Sequence, residues 1–377
     1  MSKVYITSLH LMHGGVEMAI TLLANALVKR GFDVEILCIY NLGQPAYSID
    51  EKVKITYLSA MHPNREEFYR AIKTRNIPLI IREGIYSVKV LYLKKKVMAD
   101  AIKQIEKGVI ISTRNEHSVL LSKYGRKGVE KIAQLHHDHK FEKRLINDFR
   151  KKYTNIDYFV LLTDRLKDEV KVMMKDNTHT KCVVIPNFLA DMNEIGDLQR
   201  KRQVLAVGRL HEVKGFERLI KIWKRFDAKD GTVLKIIGDG QEKESLQHLI
   251  DKYGLQEKVI MTGELSHEKV MEEMHQSLCY AMTSYSEAFP FVLIEAMAAG
   301  LPVVAYDVRV GPAAIVQNSE NGFLIPDGNE ELFIDKLRSL CQNDKLREKM
   351  SESAVQRSRE FSEDSVMKKW LDILRIE

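Results

Sequence analysis

Short apolar runs recur along the chain, separated by stretches whose apolar positions fall at helical spacing. In the first half, the runs at 4–7, 34–39, 55–58, 79–81, 109–112, 131–135, 158–163 and 182–185 predict strands. Helical periodicity marks 17–29, with Ile20, Leu23, Ala24 and Leu27 on one face, and then 97–105, 141–152 and 166–174. In the second half, strands are expected at 204–207, 234–237, 259–262, 279–282, 303–306 and 321–326. Helices are expected there at 216–226, 246–253, 268–277, 330–341, 344–360 and 362–376. Many of the runs are apolar at consecutive positions, as strands covered on both faces of a parallel sheet require. Alternation of such strands with helices predicts an α/β chain of doubly wound sheets.

A chain of 377 residues exceeds one ordinary core, so two domains are expected, 1–186 and 187–377, joined by the polar segment 188–203. With 45% hydrophobic and 29% charged residues, the composition excludes a disordered chain. The net charge of +6 is unevenly spread: 1–186 carries 32 Lys and Arg against 20 Asp and Glu, whereas 187–377 carries 26 against 32. A basic first half suits an anionic partner, or is simply a solvated face. Lys94-Lys95-Lys96 and the basic amphipathic stretch 141–152 are its densest parts, and the latter suits either an interfacial helix or an ordinary packed one. No run reaches the length of a membrane span, no signal peptide precedes Val4, and the scattered Cys38, Cys182, Cys279 and Cys341 have no metal-ligand spacing. A cytoplasmic protein with reduced thiols is expected, peripheral on a membrane if the basic face binds one.

The densest chemistry lies at 284–307, SYSEAFPFVLIEAMAAGLPVVAYD. A polar turn precedes a helix that Pro290 can open and Gly300-Leu301-Pro302 ends, and a buried strand follows. Glu287 lies in the turn, and Glu295 is embedded in the apolar helix, where a lone charge is costly. The amides of Phe289, Phe291 and Val292 would face polar or anionic ligand atoms at the helix start, although Pro290 has no N–H to offer. The plain alternative makes Glu295 a surface residue and Glu287 a solvated cap. Elsewhere, Gly14-Gly15 lets backbone amides approach a phosphate, and Arg209 and Lys214 flank a turn into a helix, a pairing suited to a diphosphate. Gln134-Leu135-His136-His137-Asp138-His139 follows a strand, but neighbouring histidines on a strand end point apart and form no metal set.

SEAFPFVLIEAMAAGLPVVA resembles the E-x7-E signature of retaining GT-B glycosyltransferases, in the large family usually numbered four. VGRLHEVKGFERLI resembles that family's GR-x-K-G donor motif, and Gly14-Gly15-Val16-Glu17 its diphosphate loop. The resemblance implies a GT-B fold, two Rossmann-like domains facing across a cleft, with the last helix, 362–377, packing back on the first. It implies donor binding by Gly14, Gly15, Arg209, Lys214, Gly238, Leu265, Glu287, Phe289, Pro290, Phe291, Val292 and Glu295. Among these, Arg209 and Lys214 would stabilise the departing diphosphate, Glu295 would hold the ribose and Glu287 would orient the sugar. His136 would sit beside the transferred sugar, or His137 or His139 if the register slips. The implied activity is transfer of a hexose or N-acetylhexosamine, with UDP the expected nucleotide, to a glycan or polyprenyl-linked acceptor. No catalytic metal and no nucleic-acid partner are expected. Ala314 departs from the acidic residue of the GPxEI segment in some members, which leaves the sub-family open. The rivals are a sugar-nucleotide epimerase of the same architecture, which needs further acid/base carboxylates, and a non-catalytic partner that kept the nucleotide site. A nucleic-acid binder would show a strongly salt-dependent affinity and has no recognisable module here.

Overall fold

A computed structural model describes residues 3–190, 200–226, 228 and 230–374. Most of the expected connection at 188–203, and the end of the expected last helix beyond 374, lie outside the described residues. The chain divides into two compact units, one of residues up to 162, 166–185 and 369 onward, the other of 163–165 and 186–368. The final helix, Glu363–Ile373, has its residues divided between the units at position 369.

The first unit is built on seven parallel strands: β1 (Lys3–Ser8), β2 (Asp33–Tyr40), β3 (Lys54–Ser59), β4 (Gly108–Ser112), β5 (Val129–Leu135), β6 (Tyr158–Leu161) and β7 (Lys181–Val184). Their order is β3-β2-β1-β4-β5-β6-β7, with Val4 opposite Val34 on one side and Val109 on the other. Val4, Ile6, Ile36, Val109, Ile111, Phe149 and Phe159 are fully buried, because helices cover both faces and leave no polar side to the central strands. The second unit repeats the plan with six strands: β8 (Gln203–Val207), β9 (Val233–Ile237), β10 (Val259–Met261), β11 (Cys279–Met282), β12 (Val303–Asp307) and β13 (Gly322–Pro326). The order here is β10-β9-β8-β11-β12-β13, around a core that includes Ala206, Leu219, Trp223, Ile236, Tyr306 and Phe333. Both are Rossmann-like sheets, and the fold is GT-B.

Each sheet reverses its winding once, between β1 and β4 in the first and between β8 and β11 in the second. At such a switch point the loops leaving adjacent strands turn to opposite faces and open a crevice at the strands' carboxyl ends. That geometry decides where chemistry can gather.

One expectation fails, and one open alternative is decided. Leu79-Ile80-Ile81 is not a strand but the first turns of a 28-residue helix, Ile77–Gln104. Asn76 caps it by accepting from the Leu79 amide at 3.1 Å, and Pro78 stands in its first turn. These are helix-start signals that a short apolar run, ambiguous by itself, had masked. The stretch 141–152 forms a helix, Lys143–Lys152, whose Leu145 and Phe149 are buried in the first unit's core. Its apolar side is therefore committed to the protein and is not free for an interface.

Candidate active site

In the second unit, β8 runs into Gly208-Arg209-Leu210, a short 3-10 turn at Glu212–Lys214, and Gly215 at a φ of 66°. A side chain at Gly215 would collide with the Thr283 carbonyl, so the turn after β8 lies directly against the loop after β11. The two are stitched by Thr283 Oγ1 donating to the Gly215 carbonyl at 2.9 Å and by the Tyr285 amide donating to the Val213 carbonyl at 2.7 Å. Lys214 and Glu287, 73 positions apart, consequently meet: Nζ lies 2.6 Å from Oε1. Ser284 Oγ donates to the same carboxylate oxygen at 2.7 Å, and the Glu287 carbonyl accepts from the Gly311 amide at 3.0 Å. Arg209 is exposed at the same switch point and makes no ion pair among the described residues.

Pro290 precedes the helix Phe291–Ala298, whose first amides, those of Phe291 and Val292, are among those an α-helix leaves without internal partners. Phe289 is buried against Phe361, their rings edge to face with centroids 5.6 Å apart. Glu295 is buried on this helix, and burial pushes its carboxyl above the usual range, with His267 Nδ1, 4.0 Å away, pulling the other way. The surface alternative for Glu295 is thus excluded. Tyr280, below the loop, is bonded to Val207 and has its hydroxyl pushed up by burial first and then by the charges of Glu287 and Glu295. Gly238, after β9, lies so close to the Gly208 carbonyl that no side chain would fit. Leu265 is half-buried in the loop after β10. Asp239 is occupied by Lys243 at 2.6 Å, and no set of metal-binding side chains occurs among the described residues.

Arg218 was missed in the sequence. Its guanidinium donates to the Thr283 and Ser284 carbonyls, reaches Asp327 at 2.7 Å, and lies 4.1 Å from the Tyr285 ring centre and 4.2 Å from that of Tyr306. It fixes the base of the loop that carries Glu287. No local signal announces it, since its partners lie 65 or more positions away.

The first unit gathers a different set. Gly14 and Gly15 follow β1 and open the helix Gly15–Lys29. Glu17 is buried and folds back on this turn, its Oε1 3.1 Å from Arg114 Nη2, and a side chain at Gly14 would strike the carboxylate. His136 follows β5 with neither ring nitrogen bonded among the described residues, and burial, followed by His137 and Arg114, pushes its pKa down to about 3. His139, by contrast, is engaged: Nε2 lies 2.9 Å from Glu169, and Nδ1 accepts from the Phe141 amide at 3.1 Å. His137 is exposed.

Residues 189–357 match the family described as glycosyl transferases group 1. The chain is 31% identical to the amylovoran biosynthesis glycosyltransferase AmsD of Erwinia amylovora, over 96% of each chain. It is 30% identical to the N-acetylgalactosamine-N,N'-diacetylbacillosaminyl-diphospho-undecaprenol 4-alpha-N-acetylgalactosaminyltransferase of Campylobacter jejuni, over 52% of this chain and 53% of that one. A crystal structure of a TarM variant from S. aureus, in complex with fondaparinux, alpha-GlcNAc-glycerol and UDP, superposes with a TM-score of 0.77 at 15% identity over 100% of both chains.

Proposed function

The chain belongs to the glycosyl transferases group 1 and is a glycosyltransferase, and from that premise we propose that it transfers a hexose or N-acetylhexosamine from a UDP-sugar, with retention, to a lipid-linked or cell-surface glycan in polysaccharide biosynthesis. The observation that carries this reading is the Lys214–Glu287 pair, held at a switch point where Arg209 also follows β8. In the reaction, the bond between the anomeric carbon and the diphosphate oxygen breaks while an acceptor hydroxyl oxygen bonds to that carbon and passes its proton to the departing diphosphate. Negative charge collects on the leaving diphosphate. Lys214, held by Glu287, and Arg209 would stabilise that charge more than they stabilise the intact donor, which is what lowers the barrier. Glu287, locked by Lys214 and Ser284, would orient the sugar hydroxyls, with the Phe289, Phe291 and Val292 amides beside it and Pro290 shaping the turn. Glu295 would accept the ribose hydroxyls, exchanging a costly buried charge for hydrogen bonds. Gly238 and Leu265 would line the nucleotide. On the first unit, Gly14 and Gly15 would face phosphate and His136 the sugar, roles that rest on the resemblance. No catalytic metal is needed where Arg209 and Lys214 serve the diphosphate. The C. jejuni relative's name includes a diphospho-undecaprenol, and the TarM complex contains UDP, which favours these choices of acceptor and nucleotide. A place on the inner face of the membrane follows from such an acceptor.

A panel of UDP- and GDP-sugars, read by thermal shift and by slow hydrolysis, tests the reading. One UDP-sugar should stabilise the wild type and be turned over, with turnover lost in Glu287→Ala, Arg209→Ala and Lys214→Ala. A chain that neither binds nor hydrolyses any member overturns it.

A further inference from the structure

The helix Ile77–Gln104 carries an apolar stripe that stays largely exposed among the described residues. Ile77 is 67% exposed, Ile81 57%, Ile85 67%, Val88 67% and Tyr92 64%, whereas the helix beyond Lys96 buries Met98, Ala99 and Ile102. At 100° per residue the five exposed positions fall within an arc of about 80° along about 25 Å of helix. The neighbouring helix, Arg65–Lys73, adds exposed Tyr69 and Ile72. One flank of the stripe is equally regular: Arg82, Lys89 and Lys96 are all exposed and repeat every seven residues. From 70 to 99 the chain holds eight Lys and Arg, and its one acid, Glu83, is buried against Asn64 and paired with Arg82.

We propose that this face, the apolar stripe with its basic flank, lies in the surface of an anionic lipid bilayer. Two helices of one sign repel, so the charge that favours phosphate headgroups opposes pairing with a second copy of the chain. A row of aliphatic side chains has no use on a nucleic acid, whose outer surface is phosphate and sugar. On a bilayer both features are served at once: isoleucines enter the acyl boundary, tyrosine stays at its edge, and lysines reach the headgroups. No helix among the described residues is long and apolar enough to cross a membrane, so the contact is with one leaflet's surface. The inference deepens the lipid-linked acceptor reading by naming the element that meets the membrane, but it does not depend on glycosyl transfer.

Vesicle sedimentation without any sugar nucleotide separates the two. The full chain should bind phosphatidylcholine vesicles containing phosphatidylglycerol at least ~10-fold more tightly than phosphatidylcholine alone, and less tightly in high salt. The double variant Ile81→Glu/Ile85→Glu should lose at least ~10-fold of that binding, and Lys89→Glu/Lys96→Glu a similar amount, with thermal stability and donor hydrolysis unchanged. Unchanged vesicle binding in both variants overturns the proposal, as does equal binding to neutral and anionic vesicles. A dimer in solution that the isoleucine variant dissociates, without altered vesicle binding, assigns the face to a second copy instead.

Discussion

The two units share a sheet plan and furnish their switch points differently. In the second, the charged residues hold one another: Lys214 lies 2.6 Å from Glu287, Ser284 donates to the same oxygen, and Arg218 locks the loop beneath. In the first, Glu17 is taken by Arg114, and the nearby chemistry is neutral imidazole, with His136 unbonded and His117 buried against Thr7. A site of paired fixed charges is already organised to meet an anion. Neutral imidazoles suit contacts with uncharged hydroxyl groups. The difference teaches that the same crevice geometry supports a charge-binding site or a polar one, according to which residue types the loops bring.

Breaking the pair is the strongest way to test that contrast. Lys214→Ala and Glu287→Ala should each lower turnover by about 10² to 10³, and the double variant should lose far less than the product, because each residue acts through the other. Additive losses in the kinetic cycle would show that the two act separately. Next comes the support beneath. Arg218→Ala should cost about 1–3 kcal/mol of stability, read as a lower melting temperature, and should lower turnover in a chain that still binds nucleotide. Arg218→Lys should restore little of either, since an ammonium cannot serve two carbonyls while lying flat against two rings. Full rescue by lysine would leave the planar contacts without importance.

The smallest effect sharpens the comparison from the first unit. Burial pushes both His117 and His136 down to about 3 from an ordinary value of 6.5. The unfolded chain therefore takes up these protons below about pH 6.5 while the folded chain does not. Stability is lost as pH falls from there toward 3, by about 1.4 kcal/mol per pH unit for each histidine. Region-resolved hydrogen exchange at pH 7, 6 and 5 should show the first unit loosening before the second, and His117→Asn should blunt the trend. Uniform loosening of both units would contradict it.

Much of this was legible beforehand. The strand at Cys279–Met282 and the helix at Phe216–Phe226 were found to the residue, because uninterrupted apolar runs and a clean 3.6-residue period are local properties. The turns after β8 and β11 were legible for the same reason, each being a strand end, a tight turn and a helix start within a few residues. The helix Ile77–Gln104 was not, since its first turns are as rich in isoleucine as a strand, and only exposure shows that those isoleucines face outward.

The sequence by itself determined the alternation of strands and helices, the basic first half, and the residue types of the loops after β8 and β11. Tertiary structure alone decided which charges meet. Glu287 finds Lys214 across 73 positions because β8 and β11 are adjacent at the reversal of the sheet, and strand order is written nowhere in local periodicity. It likewise decided that Glu295 is buried and Arg209 exposed, and that Leu145 and Phe149 enter a core while Ile81 and Ile85 do not. Burial depends on what packs against a face, and a chain read one residue at a time carries no record of its neighbours in space.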